Sequence, residues 1–322
     1  MRRVLILGGT GWLGREIARI AVATGDEVVC LARGQSGPPP EDARFVIANR
    51  TQPGAYDDLT GEWDEVIELA YEPELIHSAL QALAERTRHW TLVSTVSVYA
   101  RNDEPGADES SDLVEPADPT DYADAKVLAE RATVARLGER LLVVRPGLIT
   151  GPGDPSDRFG YWPARLSRGG RVLIPTTDNR YVQVIDVTDL ATYVVEAGSE
   201  GRTGVVNAVG ESHSLEAFLN EAIATTGGEG DLVSGDDAFL LDHAVKYWAG
   251  PRSLPLWLPL ADAAMAQRSG AAYLASGGTN RPIRDTISRV LADDISRGVE
   301  RHRRSGLTLQ EETDLLDALG SR

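Results

Sequence analysis

The chain has 322 residues, 42% of them apolar, enough for one large domain or two fused ones. Its formal net charge is −17. So acidic a surface argues against nucleic acid and anionic membranes as partners, because both demand basic residues, and it reads as a solubility feature.

The first apolar run, Val4-Leu5-Ile6-Leu7, has the length and β-branched content of a buried parallel strand. Gly8, Gly11 and Gly14 follow at three-residue spacing, then a helical pattern carrying Leu13, Ile17, Ile20 and Ala21 on one face. A second apolar run, 28–31, contains the lone Cys30, which cannot close an internal disulfide. Strand, glycine-rich turn, helix and strand together form the context that a dinucleotide-binding turn requires. There the glycines permit a tight turn, close approach to a pyrophosphate and close helix–strand packing, and the helix N-terminus offers N–H groups to phosphate.

Further strands are predicted near 44–48, 65–69, 90–94 and 141–145, with helices near 12–24, 74–88 and 121–137. This alternation predicts an α/β fold, a Rossmann-type doubly wound parallel sheet. The loop 101–119 is rich in Asp, Glu, Pro and Ser, and a connection that long points to a functional role or mobility. A strand–helix pair is expected at 182–198, its strand completing the sheet, and a short strand at 204–208. The rest of 211–322 reads as mostly helical, and its last helix opens on the capping box Thr308-Leu309-Gln310-Glu311. The predicted layout is a dinucleotide-binding domain over 1–150 and 182–210, and a smaller, mainly helical substrate domain over 151–181 and 211–322. The site is expected at the C-terminal ends of the strands, between the two.

Tyr122 and Lys126 stand four apart at the start of a helical pattern and so share a face. An ammonium beside a phenol favours the phenolate, which makes the tyrosine a usable acid/base near neutral pH. The run 89–100, HWTLVSTVSVYA, is a strand ending in hydroxyl residues, where open α/β sheets place ligands. Trp162, Trp248 and Trp257 read as core of the substrate domain rather than as a pocket lining. The histidines show no ligand spacing, so no metal is expected.

Taken together these segments resemble the extended short-chain dehydrogenase/reductases, also called the NAD-dependent epimerase/dehydratase family. GGTGWLG at 8–14, ELAY at 68–71, STVSVYA at 94–100, YADAK at 122–126, VRPGLITGPGD at 144–154 and VQVIDVTDLA at 182–191 match the family's motifs in order. The resemblance implies cofactor contacts from Gly8, Thr10, Gly11, Trp12, Leu13 and Gly14, with Ala70 near a ribose. It implies catalysis by Thr95, Tyr122 and Lys126: Thr95 on the substrate oxygen, Tyr122 as acid/base, and Lys126 on both the tyrosine and the nicotinamide ribose. Pro146, Leu148 and Ile149 would meet the nicotinamide.

The chain departs from the family in four places. Where NAD-binding members carry an acid after the second strand, it has Ala32-Arg33, and an arginine there can pair with a 2′-phosphate, which favours NADP(H) over NAD(H). Asn49 replaces the family's adenine-side aspartate. Val96-Ser97 replaces the dehydratases' Asp-Glu, so elimination of water lacks its acid and base. Arg180-Tyr181-Val182 half-matches the epimerases' diphosphate-binding Arg-Asp-Phe. The expectation is an NADP(H)-dependent oxidoreductase acting on a small carbonyl or alcohol. The alternatives are a sugar or nucleotide-sugar epimerase with tightly held cofactor, and a non-catalytic NADP-binding regulator. The expected partners are a small-molecule substrate and at most a second copy of the chain in a homodimer, and the expected location is the cytoplasm.

Overall fold

Val4 to Leu7 are fully buried, as an interior parallel strand requires. In the computed structural model, which describes residues 1–320, they lie in β1 (Arg3–Leu7), an inner strand of a seven-stranded sheet. α1 (Trp12–Ala23), β2 (Glu27–Ala32), β3 (Arg44–Ile47), β4 (Trp63–Glu68) and α2 (Pro73–Leu83) follow. Then come β5 (Thr87–Val93), α3 (Tyr122–Leu137), β6 (Leu141–Pro146), α4 (Val187–Ser199) and β7 (Gly204–Ala208). The strand order is β7-β6-β5-β4-β1-β2-β3, and every pairing is parallel. The chain winds outward through β2 and β3, returns to β4, and winds outward again the other way. The direction reverses beside β1 and β4, and a crevice opens at the carboxyl ends of strands at such a point. Leu5, Val66 and Leu92 of the sheet pack with Leu80 of α2 and Ala129 of α3 in one buried cluster.

The chain divides into two compact units. The first holds Met1–Ile149, Val187–Gly210 and Arg268–Asn280. The second holds Thr150–Asp186, Glu211–Gln267 and the segment from Arg281 onward.

Three expectations are corrected. The strand at 182–186 does not complete the main sheet: Tyr181–Asp186 pairs antiparallel with Ser212–Ser214, Gln183 opposite Ser212. The seventh place belongs to β7, which lies beside β6 with Gly204 opposite Leu142 and Ala208 opposite Pro146. A parallel neighbour must arrive through a crossover, and α4 supplies one to β7, the strand after it, not to the strand before it. Both runs are apolar and short, so pattern alone does not separate them. The segment 211–320 is also less helical than predicted: Gly230–Gly235 is a strand, paired in parallel with Gly170–Pro175. The segment 268–280 groups with the first unit, not the second.

The second unit has its own aromatic core. Trp162 and Trp257 are fully buried, Trp248 is partly exposed, and the rings of Phe159 and Phe218 lie 5.4 Å apart. The Trp162 indole donates to the Pro255 carbonyl at 2.7 Å. The capping box forms as read: the Glu311 amide donates to Thr308 Oγ1 at 3.2 Å, and the Thr308 amide to Glu311 Oε2 at 2.8 Å.

Candidate active site

The turn between β1 and α1 is built on glycine for two separate reasons. Gly8 has φ of +99°, where a side chain is strained. At Gly14 a Cβ would stand 2.8 Å from Leu69 Cδ1 and 2.9 Å from the Gly9 Cα, so only glycine lets α1 come this close to the turn. Gly11 is different. A Cβ there would meet nothing nearer than 3.5 Å, so the protein's own packing does not demand glycine at that point. What the missing side chain preserves is open space at the N-cap of α1, where no side chain caps the helix.

That space belongs to a cleft of about 560 Å³ within the first unit. Gly8, Thr10, Gly11, Trp12, Leu13 and Gly14 line it, as do Arg33 after β2, Asn49 after β3 and Ala70 after β4. The nine residues expected to hold the phosphates, riboses and adenine thus share one cleft. Arg33 is exposed, next to Gln35 and Ser36 in the lining. Asn49 is partly committed: its side-chain oxygen accepts from the Thr51 amide at 3.2 Å and the Thr51 hydroxyl at 3.0 Å. A nicotinamide dinucleotide fits this donor set, with an open helix N-terminus for pyrophosphate and a cation beyond β2.

Thr95, Tyr122, Lys126, Pro146, Leu148 and Ile149 are not part of the cleft lining. Asp121 caps α3, accepting from the amides of Ala123 at 2.9 Å and Asp124 at 3.2 Å, and this sets Tyr122 in the first turn. Tyr122 is 45% exposed, whereas Lys126, one turn on, is 3% exposed. The Lys126 ammonium donates to the carbonyl of Val93, a cleft residue, at 2.7 Å. Burial pushes its pKa down from 10.5 to about 8, against the opposing pull of the Glu68, Glu130 and Glu72 carboxylates. Thr95 lies just past β5, buried, and caps the short 3-10 turn Val96–Val98. Its oxygen accepts from the Ser97 amide at 3.1 Å, and its hydroxyl donates to Ser97 Oγ at 3.2 Å. Pro146 closes β6, Leu148 is buried and Ile149 is partly buried.

Three site residues received no role of their own in the sequence reading, although two of them, Glu68 and Tyr71, lie in the ELAY segment. Tyr71 lines the cleft, meets the Tyr122 ring nearly perpendicularly at 5.1 Å, and has the Lys126 ammonium 5.2 Å from its ring centre. Arg50, also in the lining, is ion-paired to Glu68. A glutamate within the apolar run VIEL was a legible sign of a buried partner, although nothing in the sequence pointed to Arg50.

Residues 4–210 match the family model described as NAD dependent epimerase/dehydratase family. The chain is similar to the Epimerase family protein SDR39U1 of Homo sapiens, with 24% identity over 242 residues, 70% of this chain and 80% of that one. It is also similar to the Chloroplast stem-loop binding protein of 41 kDa b of Arabidopsis thaliana, 26% identical over 247 residues, 70% of this chain and 64% of that one. Among solved structures, TunA, an NAD dependent NDP-hexosamine 5,6-dehydratase involved in tunicamycin biosynthesis, superposes with a TM-score of 0.70 at 22% identity. That match covers 94% of this chain and 100% of TunA.

Proposed function

The chain belongs to the NAD dependent epimerase/dehydratase family, and from that premise we propose that it is an NADP(H)-dependent oxidoreductase interconverting a carbonyl and an alcohol. The observation that carries this reading is Lys126, a buried ammonium one helical turn from Tyr122 and bonded to the wall of the cofactor cleft. When bound, the nicotinamide ring supplies or accepts the hydride. Tyr122 gives a proton to the carbonyl oxygen during reduction and takes it back during oxidation. The charged Lys126 stabilises the phenolate that remains and holds the nicotinamide ribose. With substrate bound, the Thr95 hydroxyl turns its single proton from Ser97 Oγ to the substrate oxygen, while the Ser97 amide still donates to Thr95 Oγ1 and keeps it in place. Gly8, Gly11 and Gly14 admit the pyrophosphate, Arg33 pairs with the 2′-phosphate, Asn49 meets the adenine, Ala70 borders a ribose, and Leu148 and Ile149 border the nicotinamide. The second unit, 150–186 and 211–267 together with the segment after 281, is the half we assign to substrate selectivity.

Epimerisation is the second reading, and the family and the similarity to the Epimerase family protein SDR39U1 favour it. Arg180 weighs against its nucleotide-sugar form. The guanidinium that would hold a diphosphate is buried, and it donates to both oxygens of Asp237 at 2.6 Å. Consumption of NADPH with a panel of carbonyl compounds tests the proposal. Tightly co-purifying cofactor with no net consumption would favour epimerisation, and cofactor binding with neither outcome would favour a regulator.

A further inference from the structure

We propose that Tyr71 is a positioning residue of the Tyr122–Lys126 pair, holding the ammonium over the face of its ring and the Tyr122 ring in perpendicular contact. The proposal rests on the reading of Tyr122 and Lys126 as the acid/base pair, and it adds a third side chain to that pair. The geometry is specific. One half-buried ring meets both residues, at 5.1 Å from the Tyr122 ring and 5.2 Å from the Lys126 ammonium. An ammonium carries three N–H donors, and among the described residues Lys126 gives one to Val93 and none to a carboxylate.

The charges around Lys126 are already engaged elsewhere. Glu68, from β4, is paired with Arg50 at 2.6 Å, and Glu130, from α3, with Arg145 at 2.7 Å. Glu72, beside Tyr71, is exposed and accepts from the Tyr71 amide at 3.2 Å. None of these carboxylates bonds Lys126, and beyond the Val93 carbonyl at 2.7 Å the π-face of Tyr71, 5.2 Å away, lies within cation–π range of the ammonium. The perpendicular contact with Tyr122 then links the tyrosine's orientation to the same ring.

The chain is well suited to a direct test. Only two of its 32 Lys and Arg residues are lysines, Lys126 and Lys246. In protein labelled with ¹³C at lysine Cε, two NMR signals report both titrations, and exposed Lys246 serves as the internal reference for folding. Tyr71→Phe keeps the ring, so its Lys126 midpoint should equal the parent's. Tyr71→Leu keeps the apolar cover and removes the π-face, so the Lys126 midpoint should fall by about half a pKa unit or more. Tyr71→Ala admits water, so the midpoint should rise toward the ordinary lysine value. A Leu variant that titrates like the parent overturns the proposal. Should the Ala variant fail to fold, the comparison of Phe with Leu decides alone. NADPH added to the labelled parent tests the underlying reading separately. A Lys126 signal indifferent to NADPH, beside a shifted Leu variant, would remove the cofactor reading and leave the role of Tyr71 standing.

Discussion

Arg50 and Glu68 form a two-pronged buried ion pair at the wall of the cofactor cleft. Arg50 Nη1 donates to Oε1 at 2.9 Å and Nη2 to Oε2 at 2.6 Å. The same guanidinium reaches the Leu75 carbonyl in α2 at 2.9 Å and the Tyr56 hydroxyl at 3.1 Å, and Glu68 Oε1 accepts from the Ala70 amide at 2.8 Å. One ion pair thus ties the chain after β3, the end of β4 and the first turn of α2.

Removing one partner strands a buried charge. Arg50→Met should therefore cost about 3–5 kcal/mol of stability, whereas the double variant Arg50→Met/Glu68→Met should recover much of it. Urea unfolding measures both. A single-variant loss under about 1 kcal/mol would mean that the pair behaves as a solvated surface contact.

The cleft was legible because its determinants are local. Val4–Leu7, Gly8 and Gly14 are adjacent in sequence, and the turn needs no distant residue to be recognised. The capping box of Thr308 and Glu311 was legible for the same reason. The Arg50–Glu68 pair spans 18 positions and depends on which strands become neighbours. Tyr71 closes the recognised ELAY segment, but its meeting with Tyr122 and Lys126 depends on where α3 packs. Tyr181–Asp186 carries the apolar pattern of an interior strand, yet sheet membership is decided by the crossover and not by composition.

The proposed preference for NADP(H) turns on Arg33. A guanidinium in the cleft lining beyond β2 attracts a 2′-phosphate, and an aspartate repels it. Fluorescence titration should show NADPH binding tighter than NADH in the parent protein, with the order erased or reversed in Arg33→Asp. Equal affinities in the parent would remove Arg33 from this role.

Burial of Lys126 predicts a particular pH dependence of stability. Its pKa falls from 10.5 to about 8 on folding, so between these values the unfolded chain binds the proton more readily. Burial of the charged form is therefore destabilising below about pH 8, by about 3 kcal/mol, and that penalty fades as pH rises toward 10.5. Lys126→Met lacks the charge altogether. It should exceed the parent in stability at pH 7, and the advantage should shrink as pH rises from about 8 to about 10.5. Thermal or urea unfolding across that range measures it, and an advantage that grew with pH would contradict the burial argument.

The proposed chemistry rests on the Tyr122 hydroxyl. Tyr122→Phe removes the proton donor while keeping the ring, so the perpendicular contact with Tyr71 at 5.1 Å should persist. Asp121 still caps α3, so Lys126 keeps its place on the Val93 carbonyl. NADPH affinity should then be unchanged while turnover falls by roughly 10²–10⁴, the contribution of a positioned acid/base group. Steady-state rates with an accepted carbonyl substrate, measured beside a binding titration, separate the two effects. A parallel loss of affinity would mean that the hydroxyl serves binding. Undiminished turnover would place the proton transfer on another group, with the buried Lys126 ammonium, bonded to the cleft wall and with a pKa already down to about 8, as the next candidate.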